Sequence, residues 1–150
     1  QVDLGFNFRM TELQAALGES QIQRLDEFVS KRHTLKERYD SLLNNLPLKL
    51  PYQNEDSYSS LHLYPVQIDT EKVYKSRQQI FDELRKNGIG VNVHYIPIHT
   101  QPYYLKFGYK QGDFPNAESY YSKAISIPLF HAMTVDQQNK VLIELKKALK

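Results

Sequence analysis

From Glu12 to Asn44 the chain carries no proline and one glycine, Gly18, and the run is entered through Thr11 with Gln14 three residues on. A Thr at a helix cap accepts from the third helical N–H while a Gln there bonds back, so a helix is expected to start near Glu12. Leu25, Phe28, Leu35, Tyr39, Leu42 and Leu46 then recur at three- and four-residue steps, the spacing of one helical face. The expectation is one helix of roughly 30 residues, beyond the usual globular range of about 8–20. Such a helix bridges two bodies or lies against a partner. Arg32 falls where the stripe calls for an apolar side chain. Its stem can snorkel along apolar surface, or its guanidinium can hold an anion or carboxylate at a buried interface.

Downstream, Leu61 to Ile68 is strand-like with Pro65 inside it, which predicts an edge position or a bulge. Ser76 to Asn87 reads as a helix ended by Gly88 in a left-handed cap, and Ile89 to Tyr95 as a strand with Ile89, Val91 and Val93 on one face. Pro97 and Pro102 bracket an aromatic loop over 96–109. A short helix, Asn116 to Lys123, leads into the brief strand Ala124 to Leu129. Thr134 with Gln137 repeats the capping box before a terminal helix whose Val141, Leu142, Leu145, Ala148 and Leu149 share a face. The sum is an α+β chain: a small, mostly antiparallel sheet with packed helices behind a long N-terminal helix.

Composition narrows the function. A formal charge of +2 gives no electrostatic drive toward nucleic acid or anionic lipid, and zero Cys excludes a disulfide framework, a thiolate metal site and a cysteine nucleophile. No apolar run is long enough for a spanning helix and no signal peptide is read at the start, so the expected compartment is cytoplasmic. His94 and His99, five residues apart in a loop, are no metal-ligand signature, and no metal is expected. No hydrolase elbow, phosphate-cradling glycine loop or close carboxylate pair occurs.

Three places can carry chemistry. Asn7 and Arg9 precede a helix N-terminus, where free N–H groups favour an anion. His94, Tyr95, His99, Thr100, Gln101, Tyr103 and Tyr104 crowd eleven residues stiffened by two prolines. Aromatic rings with hydroxyl tips suit a sugar or a base, though packing at an interface explains them equally. His131, after the apolar run Ile127-Pro128-Leu129-Phe130, reads as structural.

These residues carry a resemblance. Leu4-Gly5-Phe6-Asn7-Phe8-Arg9-Met10-Thr11-Glu12-Leu13-Gln14, then His62-Leu63-Tyr64-Pro65, His94-Tyr95-Ile96-Pro97-Ile98-His99, Asn116-Ala117-Glu118 and Ile125-Ser126-Ile127-Pro128-Leu129 occur in the order found in the DegT/DnrJ/StrS family of nucleotide-sugar aminotransferases. The chain resembles the C-terminal part of such enzymes, with residues 1–46 as loop and bridging helix and 47–150 as the small α+β domain of a fold-type I transferase. The resemblance implies pyridoxal phosphate as cofactor, glutamate as amino donor and a UDP-linked 4-keto-6-deoxy-N-acetylhexosamine as acceptor, in surface-polysaccharide or pseudaminic acid type synthesis by a homodimer. It implies that Asn7 and Arg9 approach the cofactor phosphate and that His94, Tyr95, His99 and Arg32 face the sugar nucleotide. The Schiff-base lysine of the family belongs to a large domain upstream of this motif. No lysine here occupies that context, so no catalytic residue is assigned and the chain by itself is expected to be inactive. Two other readings stay open: a non-enzymatic binding or dimerisation module, and part of a related pyridoxal-phosphate-dependent dehydratase.

Overall fold

A computed structural model describes residues 8–150. Six helices and three strands follow one another as α1 (Glu12–Ile22), α2 (Leu25–Leu43), β1 (Leu48–Lys49), β2 (Tyr64–Ile68), α3 (Arg77–Lys86), α4 (Pro102–Leu105), α5 (Pro115–Lys123), β3 (Ala124–Ile127) and α6 (Val135–Ala148), with one 3₁₀ turn at Ile98–Thr100. The expected Thr11 and Thr134 capping boxes form and Ser76 makes a third, each side chain accepting from the residue three on.

The single long helix is corrected to two. At Arg24 the backbone leaves helical values (φ −108°, ψ 6°), and its N–H bonds to the Gln21 carbonyl three residues back. No residue type near 20–26 breaks a helix. The boundary falls where packing begins: α1 buries no residue, whereas α2 buries Val29, Leu35, Tyr39 and Leu43. The Arg24 guanidinium sits 4.6 Å from the Phe28 ring centroid, and Phe28 stacks on His131 at 3.9 Å. Leu35 and Tyr39 are buried as expected, but towards either end the buried position moves by one, to Val29 and Leu43, while Leu25 and Leu42 are exposed.

The sheet order is β1-β2-β3, antiparallel throughout, so the strand holding Pro65 is central and not an edge. Two features make this possible. Pro65 faces Ser126, whose N–H and C=O are both turned away to Asn92 (2.8 and 3.1 Å), so no donor is asked of Pro65 on that side. On the other side β1 pairs only with Gln67 and Ile68, and the same register extended would set Pro51 against Pro65. Two prolines end the ladder there. The expected strand over 89–95 is reduced to one bridge, Asn92 to Ser126. Ile89 and Val91 are nevertheless buried, so the apolar pattern reports the core and not a ladder.

Tyr64, Val66 and Ile68 of β2 point into a core shared with Leu35, Tyr39 and Leu43 of α2, Ile80 and Leu84 of α3, Ile125 and Ile127 of β3, and Val141, Leu142 and Leu145 of α6. Helix α3 packs on α6 and on β3, and α5 packs on β2. The buried Gln138 side chain ties α6 to α2, donating to the Leu35 carbonyl (2.8 Å) and accepting from Arg38 (2.8 Å). Gly88 takes φ +75° directly after α3, as a left-handed cap requires.

Candidate functional site

A surface rich in polar and aromatic side chains is built by the segment between the Asn92 bridge and α5. The expected loop is more ordered than loop chemistry alone suggests. Pro97 opens the 3₁₀ turn, Pro102 opens α4 and Pro115 opens α5, each at a helix start where its missing N–H costs nothing.

His94 is half-buried. Its Nδ1 lies 2.9 Å from Ser126 Oγ and its Nε2 3.4 Å from the Asn92 amide nitrogen, which sets the ring against Tyr95 edge-on at 4.7 Å. Tyr95 is 70% exposed, and the peptide bond joining it to His94 is cis. His99 is the opposite case at 5% exposed. Its Nε2 lies 2.7 Å from Glu118 Oε1, and its ring meets Phe114 at 4.8 Å. The same Glu118 oxygen accepts from the Gly112 N–H at 2.7 Å. That bond first, and then the His99 bond, hold the Glu118 carboxyl below the ordinary carboxylate value.

Two cavities lie against this segment, sharing Ile96 and Pro97. One, about 490 Å³, is walled by Tyr95, Ile98, His99, Tyr104, Tyr109 and Phe114. The other, about 540 Å³, lies among Arg77, Gln78, Thr100, Glu118, Tyr121 and Ser122, with the Arg77 guanidinium 5.0 Å from the Tyr121 ring centroid. The structure thus brings Tyr95 and His99 to one aromatic cavity, with His94 against the Tyr95 ring.

Arg32 is not part of that cavity. Its Nη1 donates to the Ser60 carbonyl at 3.3 Å while Nε is buried without a partner among the described residues. The neighbouring His33 Nε2 bonds the Ser59 carbonyl at 2.9 Å, and its ring stacks on Tyr58 at 4.7 Å. Arg32 and His33 therefore hold the loop before β2 onto α2. Arg9 is exposed, and Asn7 lies outside the described residues. Glu118 was not singled out by role in the sequence. The signal available was chemical: a histidine in an apolar setting needs a polar partner, and Glu118 is the acidic residue in the first turn of α5. Among the described residues no group of His, Cys, Asp and Glu is placed to hold a metal ion.

Residues 1–146 match the DegT/DnrJ/EryC1/StrS aminotransferase family. The chain belongs to that family. It is 38% identical over 149 residues to the spore coat polysaccharide biosynthesis protein SpsC of Bacillus subtilis, covering 97% of this chain and 38% of SpsC. It is 33% identical over 135 residues to the UDP-4-amino-4,6-dideoxy-N-acetyl-beta-L-altrosamine transaminase of Campylobacter jejuni strain NCTC 11168, covering 89% of this chain and 35% of that enzyme. Among solved structures, Helicobacter pylori PseC, an aminotransferase involved in pseudaminic acid biosynthesis, superposes with a TM-score of 0.87 at 28% identity, over 98% of this chain and 39% of PseC. The S. venezuelae DesV structure superposes with a TM-score of 0.87 at 28% identity, over 99% of this chain and 39% of that one. The expected fold, an α+β portion of a fold-type I transferase, is borne out. The chain spans about 38% of the length of the curated relatives it matches.

Membership implies pyridoxal phosphate, which takes a lysine amine and a set of donors to its phosphate. Lys31, Lys36, Lys72, Lys75 and Lys147 each hold a carboxylate within 2.6–2.9 Å. Neither cavity of the aromatic segment is lined by a lysine. Those two cavities therefore lack the lysine amine that pyridoxal phosphate takes.

Proposed function

We propose that this chain is the sugar-facing portion of a pyridoxal-phosphate-dependent aminotransferase, one that moves an amino group from glutamate to C4 of a UDP-linked 4-keto-6-deoxy-N-acetylhexosamine. Residues 1–46 serve as the bridging segment and 47–150 as the small domain, with the cofactor held mainly by residues outside these 150. The family match along residues 1–146 carries the reading. The aromatic cavity at Tyr95 and His99 supports its sugar end, because flat rings with polar tips cover the apolar faces of a sugar and bond its hydroxyls. In this reading His94 and Tyr95 touch the sugar nucleotide, and His99 forms the cavity wall. Arg32 acts through the loop it holds, and Asn7 and Arg9 approach the cofactor phosphate. The enzyme works as a homodimer in the cytoplasm, making sugars for surface polysaccharide of the pseudaminic acid type. The exposed Leu13, Leu17 and Ile22 on α1 suit an assembly that covers them.

The test uses the full-length polypeptide with pyridoxal phosphate, glutamate and the UDP-linked 4-keto sugar, with the product read by mass spectrometry. A product heavier by the exchange of a keto oxygen for an amine is expected. Absence of product, with no glutamate-dependent change in the cofactor absorbance, would overturn the reading.

A further inference from the structure

We propose that Glu118 is a positioning residue for the sugar end of the reaction, fixing His99 in the tautomer that carries its proton on Nε2 and so leaving Nδ1 as a hydrogen-bond acceptor for a sugar hydroxyl or amide N–H. The inference rests on the reading of the aromatic cavity as the sugar site.

The geometry is specific. An ionised carboxylate only accepts hydrogen bonds, so at 2.7 Å from Glu118 Oε1 the His99 Nε2 must carry the hydrogen. Glu118 is held ionised at neutral pH, first by the Gly112 N–H and then by His99 itself. With Nε2 committed, a neutral ring has one polar atom left. Nδ1 has no hydrogen bond to another described residue, and it is not among the sealed orphan atoms of the structure. His99 lines the aromatic cavity, where an acceptor is what a polyhydroxylated or N-acetylated ring can use.

The same carboxylate oxygen also fixes the adjoining part of the wall. By accepting from Gly112, which sits at φ +98°, it holds the turn that precedes Phe114. Phe114 in turn packs on the His99 ring and lies 6.1 Å from the Tyr109 ring. One side chain on α5 thereby sets both a donor-acceptor choice in the cavity wall and the placement of two aromatic rings beside it. A carboxylate–histidine pair of this kind orients an imidazole without touching the ligand.

The experiment uses the full-length enzyme loaded with pyridoxal phosphate and labelled with ¹⁵N-histidine. In the unaltered protein the His99 resonances should report the neutral Nε2–H tautomer at neutral pH; an Nδ1–H tautomer, or a ring protonated on both nitrogens, overturns the proposal without any variant being made. For Glu118→Ala, the KM for the UDP-linked 4-keto sugar should rise roughly 5–30-fold, the worth of one or two kcal/mol, while the glutamate half-reaction changes less than about two-fold. Glu118→Gln, whose amide oxygen can accept both N–H groups, should keep the tautomer and restore most of the sugar KM. Equal losses in both half-reactions, or a Glu118→Gln enzyme as impaired as Glu118→Ala, would overturn it. Tyr95→Ala separates the two readings. If it leaves the sugar KM unchanged, the cavity is not the sugar site; if it raises the sugar KM and Glu118→Ala does not, only the role of Glu118 fails.

Discussion

Tyr39 donates its hydroxyl to the Pro128 carbonyl at 3.0 Å and rests 5.1 Å from the Tyr64 ring, while Tyr64 donates to Asp40 at 2.5 Å and Lys36 bonds the other Asp40 oxygen at 2.6 Å. Both phenols are fully buried at the junction of α2, the sheet and the segment after β3. Burial raises both above the ordinary tyrosine value, and the Asp40 charge and hydrogen bond raise Tyr64 further. The folded state thus keeps two protons that the unfolded chain gives up above pH 10, so stability must fall as pH rises past that point. Alkaline unfolding should coincide with tyrosinate absorbance, and Tyr64→Phe should flatten the dependence; an unchanged slope would contradict it. Tyr39→Phe strands the Pro128 carbonyl and should cost about 1–2 kcal/mol, a fall in thermal midpoint of roughly 2–8 °C. The buried Gln138 is a second such residue. Gln138→Ala removes bonds to both Leu35 and Arg38 and should cost about 2–3 kcal/mol by chemical denaturation.

At the scale of elements, local chemistry was legible and sheet membership was not. Thr11, Ser76 and Thr134 start helices where their side chains say they must, and Gly88 ends α3 as its freedom allows. Gly88→Ala should destabilise by about 1–2 kcal/mol, because the left-handed φ penalises a Cβ there. Pro65 misled because the rule against proline in central strands concerns the donor. In β2 that donor faces away from β3 and past the end of β1. Ile89 to Val93 misled in the opposite sense: its alternation comes from burial, and Ile89 and Val91 pack inward while only Asn92 pairs. The break at Arg24 has no local signal at all, since it follows from which half of the run finds a partner to pack on.

For the whole molecule, the crowding of donors and rings in the aromatic segment was legible from its residue types, but its internal wiring was not. Tyr95 stands open and His99 is enclosed although both sit in one loop of donors, and the Glu118 that explains the difference lies nineteen residues away in sequence. Arg32 looked unusual on its stripe, and its site is a loop anchor at Ser60. Helix α1 is the least supported element. With 11 residues and none of them buried, it is too short to hold in water by propensity alone. In the isolated 150-residue chain its amides should exchange at near-unprotected rates while those of α6 stay protected; strong protection of α1 would show support that the fold does not supply. The most direct measurement on the central claim compares the two half-reactions of the full-length, cofactor-loaded enzyme before and after Tyr95→Ala. Transfer from glutamate should stay unchanged within about two-fold while the KM for the UDP-linked 4-keto sugar rises roughly ten-fold, the worth of about 1.4 kcal/mol. A sugar KM that does not move, or two half-reactions that fall together, would contradict it.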